Sequence, residues 1–148
     1  YILELGFKVT ELRSKLFRIK ESIMEINIPK VVTEMLIAFQ SYETALVTND
    51  IAQLDLLFWD DTNVVRYGVT ENLYGAEEIL AFRNARPSSG LGRILHRTAI
   101  TTFGYEFATA NCEFTKKISS RIGRQSQTWA KLDGSWTITS AHVSWMET

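Results

Sequence analysis

Arg66 stands alone. Residues 32–82 carry nine acidic side chains and this single basic one. It lies in Val64-Val65-Arg66-Tyr67-Gly68, a run that reads as a short strand. A strand arginine between Val64 and Gly68 is costly to bury without an anion beside it. Two chemistries fit. An internal ion pair, with Glu71 at hand, would make Arg66 structural. A free planar fork would grip a carboxylate through two parallel hydrogen bonds.

Tyr42 is the second candidate. It follows Phe39 by three residues and Met35 by seven, so a helix places its ring on the apolar face. Its hydroxyl then needs a polar partner, in the core or on a ligand. Arg83 and Arg86 fall at the end of a helical run, where they favour the dipole or hold an anion. Gln125, Gln127 and Trp129 share one strand face, either as a polar pocket wall or as an exposed sheet position. His142 alternates with Ile138, Ser140, Ser144 and Met146, as a sheet-face histidine or as a pocket acid or base. His96, between Arg93 and Arg97, reads as a solvated strand edge. Cys112 alternates with Ala108, Ala110 and Phe114 and reads as a buried structural thiol rather than a nucleophile.

Phosphate loops, dinucleotide fingerprints, zincin motifs, nucleophile elbows and Cys-x-x-Cys pairs are missing from the sequence. The two histidines lie far apart, which gives a histidine metal site poor support. One cysteine excludes an intrachain disulfide. Sixteen basic against 17 acidic residues leave a net charge of −1, which argues against a general nucleic-acid binder. The charge is unevenly spread. Residues 83–131 hold nine basic side chains and two acidic ones, Glu106 and Glu113. They form solvated faces or a cationic pocket for a small anion.

The elements that must position these groups follow from periodicity. One domain is expected from 148 residues, long enough to bury a core without staples. Val9, Leu12, Leu16, Ile19 and Ile23 predict an amphipathic helix over residues 8–22, with no secretory leader pattern and no membrane span. Pro29 opens a helix whose period runs through Val32, Met35, Leu36, Phe39, Tyr42 and Leu46. Asn49 ends it, and Asp50 with Gln53 forms a capping box for a short helix from Ile51 to Phe58. Asp60-Asp61 is a turn and Val64 to Tyr67 a strand. Gly75 starts a third helix with Glu77 and Glu78 in its first turn, ended by Pro87. Four β-rich runs follow: Ile94 to Phe103, Glu106 to Ile118, Arg121 to Leu132 and Ser135 to Met146. Asp133-Gly134 is a hairpin signal. Helices followed by an antiparallel meander give an α+β class.

Several stretches carry a resemblance. They include Tyr42-Glu43 with Asn49-Asp50, Leu56-Leu57-Phe58-Trp59, Arg66-Tyr67-Gly68 with Glu71-Asn72-Leu73-Tyr74-Gly75, and Ala141-His142-Val143-Ser144. The most specific is Arg121-Ile122-Gly123-Arg124-Gln125-Ser126-Gln127-Thr128-Trp129. From Met24 to Met146 the chain resembles the NTF2-like (SnoaL-like, cystatin-like) superfamily and, within it, the HpxZ/AtzH-like subgroup. The resemblance implies a cone of three helices on a strongly bent, mostly antiparallel sheet, with an extra N-terminal helix in residues 1–23 outside the domain 24–148. It implies a link to catabolism of oxalurate, urea-type compounds and cyanuric acid. One branch looks like a decarboxylating amidohydrolase of a dicarboxylated urea that uses no metal and no cofactor. The resemblance makes Tyr42 and Arg66 central. Beside them, Arg83 or Arg86 would join Arg66 in holding substrate carboxylates, Gln127 and His142 would line the pocket, and Trp129 and Asn72 are further candidate substrate contacts.

Two expectations compete. The first is a cytoplasmic enzyme acting on a small anionic substrate, with no nucleic acid and no membrane involved. The second is a non-catalytic binding or accessory module with the same fold. A homodimer through the open sheet face is expected, because Ile138 and Val143 with Trp145 alternate to opposite sides of the last strand, leaving apolar residues on both.

Overall fold

The computed structural model describes residues 24–117 and 119–147. The helix expected over residues 8–22 lies outside them. Helix α1 spans Pro29–Thr48, with Pro29 in its first turn. It buries Val31, Met35, Phe39, Tyr42 and Ala45. The face is rotated slightly from the expected one, and Leu36 is left exposed. Asn49 ends the helix in the left-handed region, at φ 54°. Helix α2, Ile51–Leu57, is capped by the Asp50 carboxylate, which accepts from the Gln53 N–H at 3.0 Å. The reciprocal half of the expected capping box does not form. The Gln53 amide instead donates to Ser41 on α1 at 3.2 Å. Helix α3, Gly75–Ala85, carries Glu77 and Glu78 in its first turn and Arg83 in its last, which suits the dipole at both ends.

The strands are β1 (Val65–Tyr67), β2 (Asn72–Tyr74), β3 (Arg93–Phe103), β4 (Phe107–Lys116), β5 (Ser119–Leu132) and β6 (Ser135–Trp145). They form one sheet in the order β2-β1-β6-β5-β4-β3. Among these six strands the β1–β6 pairing is parallel and the other pairings are antiparallel. Strand β2 was not foreseen in the sequence, since three residues leave no periodicity to detect. The β4–β5 break comes before Ser119 rather than at Ser119-Ser120, so those serines belong to β5. Asp133 at φ 49° and Gly134 at φ 81° supply the two left-handed residues of the β5–β6 hairpin. The helices pack on one face of the sheet, around Met35, Leu54, Ile79, Trp129 and Ile138.

One irregularity decides which side chains face the helices. Thr128 pairs with Ser140, but Trp129 pairs with Ile138, so Thr139 is an extra residue in β6. Such a bulge reverses the alternation beyond it. Ile138 and Ala141 both join the core under the helices. Val143 and Trp145 then face the same side as Tyr42. This corrects the expectation that Ile138 opposes Val143 and Trp145, and with it the premise of an outer face made apolar by them. The outer surface over β4, β5 and β6 presents Thr109, Asn111, Ser126, Thr128, Ser140 and His142. No helix among the described residues is long and apolar enough to cross a membrane.

Candidate functional site

Between α1, the β1–β2 hairpin and the inner face of the sheet lies a cavity of about 290 Å³. Its wall contains Tyr42, Arg66, Glu71, Arg86, Arg93 and Lys116, with Leu46, Phe114, Val143 and Trp145 as apolar surface. Four cationic side chains thus meet one carboxylate on the wall. Such a cavity attracts small anions.

Helix α1 sets Tyr42 in place. Its ring is buried, edge-on to Trp129 with centroids 6.5 Å apart, and it also packs against Phe58. Gln125 Nε2 donates to the Tyr42 hydroxyl at 2.8 Å. Gln125 Oε1 accepts from Arg93 Nη2 at 2.6 Å. Arg93 in turn grips Glu43 with two donors, Nε to Oε2 at 3.0 Å and Nη2 to Oε1. It also stacks over the Phe114 ring at 4.5 Å. Burial alone would pull the Arg93 guanidinium down, but the hydrogen bonds and charge of Glu43 outweigh it and hold it above its ordinary range.

Strand β1 sets Arg66. It pairs with Leu73 on one side and Ala141 on the other, which turns its side chain to the inner face. Its Nη1 donates to Glu71 Oε1 at 2.6 Å, and its guanidinium lies 5.0 Å from the Phe82 ring centroid. The two-residue tip of the hairpin, closed by Gly68 N–H to the Glu71 carbonyl at 2.8 Å, folds Glu71 back onto Arg66.

Arg83 and Arg86 leave the end of α3 on different sides. Arg83 is only 3% exposed. It stacks over Phe58 at 4.2 Å and faces Asp55 at 3.6 Å, with Nη1 lacking a hydrogen bond. Burial pulls it down to about 10, so it stays charged at neutral pH. Arg86 lies on the cavity wall and donates to Asn49 Oδ1 at 3.2 Å, while its buried Nε has no partner. Burial, then the neighbouring Arg66 charge, lowers it as well. Among the described residues no group of three His, Cys, Asp or Glu is placed to hold a metal ion.

The AtzH-like family model matches residues 24–148. The chain belongs to the AtzH-like family. Two solved structures are similar over nearly their whole length. A protein of unknown function from Pectobacterium atrosepticum is 53% identical, with a TM-score of 0.82, covering 84% of this chain and 99% of its own. A cystatin-like fold protein from Burkholderia xenovorans is 45% identical, with a TM-score of 0.81, covering 84% and 98%. An NTF2-like protein of unknown function from Pseudomonas putida shares the fold at 15% identity and a TM-score of 0.65, covering 76% and 84%. No curated protein matches the chain.

In this AtzH-like chain the expected site residues divide into three groups. Tyr42, Arg66 and Arg86 share the cavity wall. Arg83, Gln127 and Trp129 lie deeper. Trp129 is fully buried behind the Tyr42 ring and donates its indole N–H to Gln127 Oε1 at 3.1 Å, which leaves Gln127 Nε2 buried without a partner. Asn72 and His142 are on the opposite face of the sheet. Asn72 pairs with Tyr67, and Tyr67 with His142, whose ring meets it edge-on at 5.9 Å. The Thr139 bulge is what turns His142 outward. His96 is exposed, with Nε2 2.7 Å from the Thr115 hydroxyl. Glu43 and Arg93 were not singled out from the sequence. The available signal was Glu43 itself, an acid four residues after Phe39 on the buried face of α1, which required a cation from elsewhere.

Proposed function

We propose that this cavity binds a small carboxylated urea or amide and releases one of its carboxyl groups, as a decarboxylating amidohydrolase would. The observation that carries the reading is the joint placement of Tyr42, Arg66 and Arg86 on the wall of one cation-rich cavity. The AtzH-like membership adds the substrate class, through the link to ureide and s-triazine nitrogen catabolism that the resemblance implies.

In this reading Arg66 and Arg86 hold substrate carboxylates. Arg86 donates to Asn49 and keeps its Nε unpartnered, so its guanidinium has donor capacity left over. Holding the anion there leaves the urea nitrogen near the Tyr42 hydroxyl. When the bond between nitrogen and the carboxyl carbon breaks, its electron pair stays on nitrogen and carbon dioxide leaves. The nitrogen then takes a proton. Among the described residues the wall offers no evident nucleophile, so positioning and electrostatics supply the rate. Incubating the purified protein with a monocarboxylated and a dicarboxylated urea tests this. Carbon dioxide and ammonia are measured against the spontaneous rate. Acceleration of either release is the expected result, and rates equal to buffer overturn the reading.

A binding module is the second reading. It is favoured by the Arg66–Glu71 pair, which already satisfies part of the guanidinium without ligand. Binding of the same compounds with no gas or ammonia released would decide for it.

A further inference from the structure

We infer that Gln125, held by Arg93 and Glu43, fixes the Tyr42 hydroxyl as a proton donor facing the cavity. The argument begins at Arg93, because a guanidinium has donors and no acceptor. The Gln125 atom 2.6 Å from Arg93 Nη2 must therefore be the carbonyl oxygen. That fixes the orientation of the amide, which geometry alone would leave open. The NH₂ end then faces Tyr42 at 2.8 Å and can only donate. The Tyr42 oxygen is thus an acceptor on its Gln125 side, and its single proton points elsewhere. Phe58 and Trp129 pack against the ring. The cavity, whose wall Tyr42 shares, is the open polar direction.

The three supporting side chains are themselves fixed. Glu43 and Gln125 are buried, and Arg93 is clamped by the two Glu43 bonds. Glu43 follows Tyr42 in α1, so one helix carries both the donor and the far end of the chain that aims it. Gln125, Arg93 and Glu43 are positioning residues. They touch the hydroxyl or one another; Gln125 and Glu43 lie off the cavity wall, and Arg93, which shares it, has its Nε and Nη2 donors engaged by Glu43 and Gln125. The inference rests on the proposed release of carbon dioxide, which leaves an electron pair on nitrogen that needs a proton. The Tyr42 O–H bond breaks, its proton goes to that nitrogen, and the Gln125 N–H stays on the phenolate oxygen until water returns the proton.

The test exchanges the amide for a group that can only accept. In Gln125→Glu the carboxylate keeps the Arg93 contact but takes the Tyr42 proton toward itself, away from the cavity. Gln125→Met removes the donor without adding charge and serves if the buried acid prevents folding. The readout that needs no substrate is the ¹³Cζ resonance of tyrosine in the ligand-free protein, assigned with Tyr42→Phe. It is expected to move in both variants, because the hydroxyl changes its hydrogen-bonding role. The second readout is the kinetic split. Positioned proton donors are worth roughly 100-fold or more, so kcat should fall about 100-fold in Gln125→Glu and about tenfold in Gln125→Met, with KM within about threefold. An unmoved resonance in both variants overturns the inference, as does a kcat within about threefold in both. A moved resonance in a protein whose unsubstituted form turns nothing over supports the oriented hydroxyl and overturns the reaction proposed for it.

Discussion

The Glu71 carboxylate occupies the space that a side chain at Gly68 would need. A β-carbon added to Gly68 would sit 1.7 Å from Glu71 Oε1 and 2.1 Å from its Cδ. The obstructed group is the far end of a flexible side chain, so alanine would displace it without breaking the backbone. Gly68→Ala therefore separates Glu71 from Arg66 while leaving both charges in the protein. Ion pairs of this exposure stabilise by about 1 kcal/mol at most, and Gly→Ala at an ordinary φ returns a similar amount. The melting midpoint should change by only about 3 °C. Affinity for a small dicarboxylate such as malonate should rise several-fold, because Arg66 is no longer shared. Titration calorimetry on both proteins checks this, and weaker binding by the alanine variant would show that Glu71 orients Arg66 rather than competing for it.

The same pair predicts a pH dependence. Burial raises the Glu71 pKa, but the hydrogen bond and charge of Arg66 outweigh it and hold the carboxyl below 4.5. A carboxyl depressed on folding contributes stability that is fully present above its unfolded value. That contribution is lost as pH falls through the lower folded value. The unsubstituted protein should melt above Glu71→Gln at neutral pH, and the gap should close only below a pH of about 4.5. Melts at stepped pH measure it. A gap that closes between pH ~7 and ~5 would mean that another group is responsible.

The fold and part of the candidate site's wall were legible because they depend on local pattern. The 3.6-residue period placed Tyr42 inward, and Asp133-Gly134 marked the hairpin that sets β6 beside β5. The isolation of Arg66 pointed to an acid partner, and Glu71 supplies it within the same hairpin. What was not legible depends on long-range register. Glu43 and Arg93 meet across 50 residues of chain. The bulge at Thr139 carries no glycine or proline to announce it, yet it sends His142 to the outer face and Val143 into the cavity. Asn72, a candidate contact in the sequence, adjoins the inward Leu73 in β2 and so points outward.

Cys112 should be chemically silent. It lies on β4, pairs with Gln125 and is buried. Burial pushes its thiol up to about 11, against the opposing pull of Arg93. At pH ~8 roughly one thiol in a thousand is ionised, and only the thiolate reacts. Ellman's reagent should leave the native protein unlabelled and modify one equivalent in guanidinium chloride. Rapid labelling of the native protein would require a β4 that opens on its own.

Arg66 and Tyr42 carry the reading most sharply. Lysine at 66 keeps the charge and can still reach Glu71, so stability should change little. It cannot reproduce two parallel hydrogen bonds to a carboxylate. Losing such a charge-assisted contact costs roughly 2–4 kcal/mol, so kcat/KM for a carboxylated urea should fall about 30- to 1,000-fold. Tyr42→Phe removes the acceptor of Gln125 Nε2 and nothing of the ring. Stability should drop by ~1 kcal/mol, the worth of one neutral hydrogen bond, while turnover falls much further. The two variants also differ in how they fail. Arg66→Lys should raise KM, since the fork holds substrate in the ground state as well. Tyr42→Phe should lower kcat at nearly constant KM, since the proton is needed only as the bond breaks. Steady-state kinetics beside thermal melts resolve this. Turnover within about threefold of the unsubstituted protein in both variants, at unchanged stability, would remove the pair from the chemistry and leave Arg86, whose buried Nε has no partner, and Lys116 as cations on that wall without a carboxylate partner.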